Sequence, residues 1–421
     1  MALELSPEER DLAAGRRGEG VATAARIVAE AARLLGAERL VPIVSAHIDG
    51  CLYHGPAGLR FAETLVERGA RVSVPTTLNV GALNLGRPDQ ARLSAAARAE
   101  AFRQTRAYEA LGCRATWTCS PYQAGHRPAK GAQVAWGESN AVAFCNSVLG
   151  ARTNRYGDLL DIACAIAGRA PETGLHKTEN RRARALFDLS GVSDRLKSED
   201  AFWPVLGALL GARAGERPAA IAGVAAAATE DRLKALGAAA ASFGSVALFH
   251  VVGATPEAAS LEEACGGAPE DLLEERIVVD AAMLRAARDQ LSTTAEDRVS
   301  AVAIGSPHLS LAEAEALIEA LDGRRVALPF YANTGRHVVA ALEARGRLAA
   351  LGAAGVTLVV DTCIVVTPIL PPGDGALLTN SGKFAHYAPG NTGHAALYGS
   401  LRDCVETAVA GRLVRDEGLW A

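Results

Sequence analysis

The chain has 421 residues, 49% hydrophobic and 21% charged, with 43 Lys and Arg against 47 Asp and Glu and a net charge of −4. The length suits roughly two to four domains of about 100–200 residues each, and a charge balance without a cationic stripe excludes nucleic acid and anionic membranes as expected partners. The opening MALELSPEERDLAAG is acidic rather than basic followed by an apolar run, and no apolar segment reaches the ~18 residues of a membrane span, so a cytoplasmic protein is expected.

Two helices are predicted first, at 7–16 and 21–35, with Ser6 as N-cap of the first and Glu9 three residues on. The strand RLVPIVSAH (39–47) then runs into a polar loop, 45–58, that holds His47, Asp49, Cys51, Tyr53, His54 and three glycines. Gly and Asp alone would serve a turn there; two histidines, a tyrosine and a cysteine in addition point to function. A helix at 59–68 leads to a second strand, RVSVPTTLNV (71–80), which ends in Thr76, Thr77 and Asn79. Strand, loop, helix and strand in that order form the βαβ unit of a mostly parallel sheet, whose ligands bind at the carboxyl ends of the strands.

A long helix over 91–111 feeds the densest polar stretch of the chain, residues 113–155. It carries three cysteines, a histidine, a lysine, Glu138 beside Ser139, three asparagines, and Arg152 and Arg155, among Gly and Pro breakers. Burying so many polar groups costs free energy unless each is bonded or used, so positioned chemistry is expected here. An apolar helix follows at 159–167, and then a charged, broken stretch over 172–197 that reads as the edge of a first domain. Arg181, Arg182 and Arg184 within it read as a solvated helix face.

Beyond an apolar helix at 201–211, two βαβ units are predicted, AAIAGVAAA, helix EDRLKALGAAAAS and VALFHVVGATPE, then VSAVAIGSPHLS, helix LAEAEALIEAL and RRVALPFYANTG, and the apolar strand VTLVVDTCIVVTP closes the set. Each unit carries a small polar cluster after a strand. The expected domains are therefore 1–197, 198–295 and 296–421, several mostly parallel α/β domains around a central cleft. The last polar concentration, 377–400, contains Asn380, Ser381, Lys383, His386, Tyr387 and His394. Lys383, flanked by Gly and Phe and off any amphipathic helix, is expected to hold an anion from a Gly-rich loop.

Eight cysteines at 51, 113, 119, 145, 164, 265, 363 and 404 form no CxxC pair, and a reducing compartment does not favour a disulfide framework. Cys164 sits in an apolar helical pattern and reads as core, as do Cys265 and Cys404; Cys113 after a glycine is ambiguous. Cys51, Cys119 and Cys363 each stand at a strand–loop junction beside His, Asp, Ser or Pro, and are the candidate metal ligands. No GxxxxGK[ST] or GxGxxG pattern follows a strand, so nucleotide cradling has no support. Thiolates on an iron centre with an open position, a base for a carbon-bound proton and groups that grip an acid would together make a hydro-lyase site.

The segments SAHIDGCLYHG, PTTLNV, TCSPY, WGESNAV, NSVLGARTNR, VVGATPEA, GSPH, VVDTC and NSGKFAHY, in this order along nearly the whole chain, resemble the large subunit of aconitase X. The resemblance implies an aconitase-like fold, an iron–sulfur cluster, a small partner subunit equivalent to aconitase's swivelling domain, and dehydratase activity on a small molecule. Members act on cis-3-hydroxy-L-proline or on mevalonate 5-phosphate. By motif, Gly50, Cys51, Leu52, Asn79, Val80, Arg152 and Ser381 would bind substrate, Glu138, Ser139, Lys383 and His47 would act in catalysis, and Cys51, Cys119 and Cys363 would hold metal. Ser306 replaces a cysteine of the archaeal pattern and Cys51 replaces a small apolar residue, as a relocated third ligand would require. The expected reaction is the conversion of cis-3-hydroxy-L-proline to Δ1-pyrroline-2-carboxylate with a [2Fe-2S] cluster, with a [4Fe-4S] cluster or mononuclear iron as alternatives. Dehydration of mevalonate 5-phosphate is the alternative reaction; an iron–sulfur electron-transfer or sensor subunit is the alternative from another class.

Overall fold

The structure, a computed structural model, describes residues 3–157 and 159–420. The chain divides into two compact units, 1–181 and 182–421. Strand Ala185–Asp188 lies inside the stretch that the sequence suggests is the edge of the first domain, yet it pairs in parallel with Ala219–Ala222 and Glu275–Val278 of the second unit. Its ALFD sequence has three buried positions, which outweigh the charged residues around it.

In the first unit, helix Pro7–Ala13 starts at Ser6 with both halves of the expected capping box: the Ser6 side chain accepts from Glu9 N, and Glu9 Oε2 accepts from Ser6 N at 2.8 Å. The stretch 39–47 is two strands rather than one. Pro42 can donate no ladder bond, and Leu40–Pro42 pairs antiparallel with Arg169–Pro171, while Ala46–Ile48 starts a separate sheet. That sheet is parallel throughout, in the order Thr76–Leu78, Ala46–Ile48, Ala135–Trp136. Its alternation is clean: Ala46, Ile48, Leu78 and Ala135 face an apolar core shared with helices Glu19–Leu34 and Leu160–Ala167, and His47, Thr77 and Trp136 stand in register on the opposite face.

The second unit holds two parallel sheets. One has four strands, in the order Phe249–Val251, Ala219–Ala222, Ala185–Asp188, Glu275–Val278. The other has five, in the order Val356–Val360, Phe330–Thr334, Val299–Leu309, Ala376–Thr379, Ala396–Tyr398. Helices Phe202–Ala214 and Glu230–Gly244 touch backbone to backbone, since a Cβ added at Gly244 would lie 1.8 Å from the Gly211 carbonyl oxygen. Among the described residues no helix is long and apolar enough to cross a membrane.

Candidate active site

The loop after Ala46–Ile48 is fixed from both sides. Asp161, fully buried in the first turn of helix Leu160–Ala167, accepts from Asp49 N at 2.6 Å and Gly50 N at 3.3 Å. From helix Ala95–Ala110, Tyr108 donates its hydroxyl to Gly50 O at 2.8 Å, and Gln104 donates to Gly50 O and to Leu52 O at 3.1 Å. Asn79, after the neighbouring strand, donates its side-chain amide to Asp49 Oδ1. Gly137, after the third strand, is squeezed between two carboxylates: an added Cβ would meet Asp161 Oδ2 and Asp49 Cβ at 2.8 Å. The carboxyl ends of three adjacent parallel strands thus bring Gly50, Cys51, Asn79, Val80, Glu138 and Ser139 together.

Glu138 takes φ +70° and caps helix Ser139–Phe144, its Oε2 accepting from Ala141 N at 2.7 Å while Ser139 Oγ donates to Oε1 at 3.2 Å. A left-handed non-glycine residue costs of order 1–3 kcal/mol and persists where the surroundings impose it, which marks this turn as a functional candidate. The helix continues into a wide π-helical turn, Cys145–Leu149, a feature frequent at functional sites. Asn140 donates to Cys119 O and to Tyr122 Oη, both at 3.1 Å, so the Cys119 loop is tied to this helix.

In the second unit, described by itself, the carboxyl edge of the five-stranded sheet carries Cys363, Ser381 and Lys383. Asp361, at φ +65°, begins the turn that holds Cys363, and Arg336 grips its carboxylate at 2.8 and 2.9 Å. His308 Nε2 lies 2.9 Å from Thr362 O; burial lowers its pKa to about 4. Ser381 donates its hydroxyl to Ser306 O and accepts from Phe384 N at 3.0 Å. Ser381 also lines a cavity of about 350 Å³ with Asn380, Ser306, Pro307, Lys234 and Glu313.

Three sequence expectations need correction. Lys383 is not in a loop: it sits in the first turn of helix Gly382–Thr392, capped by Ser381, because the small Ser-Gly pair starts a helix that Pro389 does not interrupt. A cation there opposes the helix dipole, a placement that scaffold alone does not favour. Arg181 is no solvated charge; it is 3% exposed and donates to Asn146 Oδ1 and Asn146 O, each at 3.0 Å. Arg152 bridges beside Gln133, on the amino side of the third strand, and donates to Thr178 Oγ1 at 2.8 Å and to His176 O, binding this chain's own turn.

Asp161, Tyr108, Gln104 and His126 escaped sequence reading as site residues. Asp161 had a signal, an acid set inside the apolar run LLDIACAIAG; Tyr108 and Gln104 had none, because their role depends on which helix face meets the loop.

Models for the first, second and third domains of aconitase X match residues 2–179, 183–289 and 299–410. The chain belongs to the aconitase X family. It is 46% identical over 412 residues to a Pseudomonas aeruginosa protein named cis-3-hydroxy-L-proline dehydratase, across 96% of this chain and 70% of that one. It is 38% identical to the phosphomevalonate dehydratase large subunit of Methanothermobacter thermautotrophicus, across 91% of this chain and 93% of that one. The crystal structure of Thermococcus kodakaraensis aconitase X in its holo form matches with a TM-score of 0.84 at 33% identity, over 96% of this chain and 100% of that chain. The fold of this aconitase X chain is therefore the expected mixed, parallel-sheet α/β fold.

An iron–sulfur group would need thiolates, and the chain offers eight buried free cysteines. Cys119 and Cys363 suit it by chemistry and position, each in a loop with little solvent to compete. Cys51 is differently placed. Its Sγ lies 3.3 Å from Ile48 O and 3.5 Å from Asn79 O, and burial, then the Asp49 and Asp161 carboxylates, push its thiol well above the ordinary range. Among the described residues no three His, Cys, Asp or Glu side chains gather as a metal site.

Proposed function

We propose that this chain is the large subunit of a cytoplasmic iron–sulfur dehydratase that converts cis-3-hydroxy-L-proline to Δ1-pyrroline-2-carboxylate. The observation that carries the reading is graded similarity: 46% and 39% identity to two proteins named cis-3-hydroxy-L-proline dehydratase, against 30–38% to five phosphomevalonate dehydratase large subunits. The site supports it too. A phosphate dianion calls for several cations, and Arg152 is already bonded to His176 and Thr178. The family models match in three blocks, which supports the three-domain division 1–197, 198–295 and 296–421 in number, while its first edge moves to about residue 181 because Ala185–Asp188 pairs within the second unit.

Removal of water needs a base at one carbon and an acid at the leaving hydroxyl. Glu138, Ser139 and His47 are assigned that proton traffic, and Lys383, with Ser381, the substrate carboxylate. Gly50, Cys51, Leu52, Asn79 and Val80 would shape the walls, with Arg152 acting through the turn it ties. Cys119 and Cys363 would hold the cluster, which we take to be [2Fe-2S], with Cys51 as third ligand once its thiol proton is lost. When bound, the cluster supplies an electrophilic iron that helps hydroxide to leave. The chain spans 70% and 69% of the two hydroxyproline dehydratases; a small partner subunit would supply the remainder.

The test is to co-express the chain with a candidate small subunit and offer cis-3-hydroxy-L-proline and mevalonate 5-phosphate in parallel. Formation of pyrroline-2-carboxylate alone supports the reading, and turnover of the phosphate ester alone sinks it. Serine replacement of Cys119 or Cys363 should each remove most visible cluster absorbance.

A further inference from the structure

On the face of the three-stranded sheet turned away from the apolar core, His47, Thr77 and His126 form a continuous hydrogen-bonded array. His47 Nδ1 lies 2.9 Å from Thr77 Oγ1, and the same oxygen lies 2.7 Å from His126 Nδ1. Strand register produces the first contact, because His47 and Thr77 are Cα partners on adjacent parallel strands. Trp136, the partner of His47 on the other side, packs against both imidazoles, with ring centroids 5.6 and 4.9 Å away. His47 is 0% exposed and His126 is partly exposed as a residue, while the Nε2 atoms of both rings are buried.

A hydroxyl between two imidazoles couples their tautomers. Thr77 has one proton to give. If it donates to one Nδ1, that ring carries its proton on Nε2; the other ring then satisfies the hydroxyl oxygen by donating from its own Nδ1. Two Nδ1–H rings would leave the buried hydroxyl proton with no acceptor, and two bare Nδ1 atoms would set a lone pair against the oxygen, so neither is favoured. The two outer nitrogens, His47 Nε2 and His126 Nε2, have no partner among the described residues. In the coupled state one of them is a donor and the other an acceptor.

We propose that His126, Thr77 and His47 are a proton relay that connects the partly exposed His126 to the candidate active site at the carboxyl end of strand Ala46–Ile48. The proposal rests on the dehydratase reading above for the use of the proton. In the delivering direction His126 Nε2 gains a proton, its Nδ1–H passes to Thr77 Oγ, the Thr77 proton passes to His47 Nδ1, and His47 Nε2–H is released to the substrate's departing hydroxyl. One proton enters and one leaves. Both tautomers invert, and passage of a proton in the reverse direction, as when one is taken from carbon, restores them. Burial holds His126 at about 4 and His47 well below its ordinary value, with Arg114 also lowering His126 and His126 also lowering His47. Neither ring stores charge at neutral pH, so the array moves protons by exchange of tautomers, and Thr77 and His126 act through His47 rather than on the substrate.

The experiment compares Thr77→Val and Thr77→Ser in the two-subunit holoenzyme. Thr77→Val is expected to lower kcat by about 100-fold or more with KM within about twofold, and Thr77→Ser, which keeps the hydroxyl, to retain most activity. His126→Gln, at the partly exposed end, should lose kcat likewise and regain part of it with added imidazole, which covers failure of the valine variant to fold. Native kcat in Thr77→Val, or equal loss in Thr77→Ser, overturns the relay. Histidine ring ¹⁵N spectra decide it without any turnover: the resting wild-type chain should show one Nδ1–H and one Nε2–H ring at positions 47 and 126, and two identical tautomers would overturn it. If the enzyme acts on mevalonate 5-phosphate instead, the substrate reading fails while the same kinetic comparison still tests the relay.

Discussion

The carboxyl edge of the five-stranded sheet and that of the three-stranded sheet differ in how completely their buried polar groups are partnered. In the five-stranded sheet Asn333 donates to Ile304 O at 2.6 Å and accepts from Ile364 N at 3.0 Å, Thr334 donates to Leu309 O at 2.9 Å, and the Thr362 and Thr367 hydroxyls meet at 2.7 Å. In the three-stranded sheet His47 Nε2, His126 Nε2, Asn79 Oδ1, Asn140 Oδ1 and Trp136 Nε1 have no partner among the described residues, whereas at the five-stranded edge the two ring nitrogens of His337, in the helix that follows Phe330–Thr334, are the open groups. A buried group without a partner costs about 1–3 kcal/mol. The more fully bonded edge makes the more rigid frame, and the edge with more open valences is where substrate groups and moving protons find their counterparts.

Acid should separate the two edges most strongly. Burial lowers His126 and His176 to about 4 and His47 well below its ordinary value in the first unit; in the second, His308 is lowered to about 4. His126, His176 and His308 bind their protons in the unfolded chain near pH 6.5 but in the folded chain only near 4, and His47 shifts in the same direction. Stability is therefore intact above about 6.5 and falls as pH drops toward 4, by up to about 3 kcal/mol per group. Hydrogen-exchange protection factors should fall first in Ala46–Ile48 and Ala135–Trp136. Earlier loss in Val299–Leu309 would break the comparison.

A steric pair comes next. Gly137→Ala drives a methyl into Asp49 and Asp161, which should destabilise by about 1–3 kcal/mol and remove activity, because it displaces the 49–52 loop. Gly390, in helix Gly382–Thr392, has open space around its would-be Cβ, and Gly390→Ala should be neutral or stabilise by up to about 1 kcal/mol. Urea titrations of the two variants measure both.

Lys383→Ala sharpens the comparison at the bonded edge, where one cation is assigned to the ligand. Loss of a charge-assisted bond of about 1.5–3 kcal/mol should lower kcat/KM about 10- to 150-fold, mostly through KM, with the cluster spectrum unchanged. Native KM and kcat would return Lys383 to the scaffold.

Much of this was legible in the residues. The Ser6 capping box, the helix Leu311–Leu321 and the βαβ order follow from local chemistry and period, and they stand as read. What sequence hides is partnership at long range. Asp161 meets the 49–52 loop 112 residues upstream, and Thr77 finds His126 49 residues away. Arg152 and Arg181 look like ligand or solvent groups in one dimension because nothing local says which carbonyls they will cap. Lys383 looked like a loop residue because the GKF triplet is short and its helix is set by Ser381 and by packing behind Phe384, which is fully buried.

The smallest effect is expected at Asp361, where one residue joins two energies that can be separated. Its backbone is left-handed, at φ +65°, and its carboxylate is held by a partly exposed Arg336 whose side chain is 44% accessible. Asn tolerates the left-handed region as well as Asp does and keeps one bond to the guanidinium, so Asp361→Asn removes only the ionic part, about 0.5–1 kcal/mol once solvent screening is allowed for. Ala loses the side-chain bonds and is strained at positive φ, which should cost roughly 1–2 kcal/mol more. Urea midpoints of the two variants give the difference. A bonded edge yields in such small steps, because His308 and Asn333 still hold the turn on Thr362 O and Ile364 N when Asp361 is changed. Equal losses for Asn and Ala would place the cost in the charge alone, and a loss beyond about 4 kcal/mol in either would mean that this one ion pair, rather than the bonded network, holds the Cys363 turn.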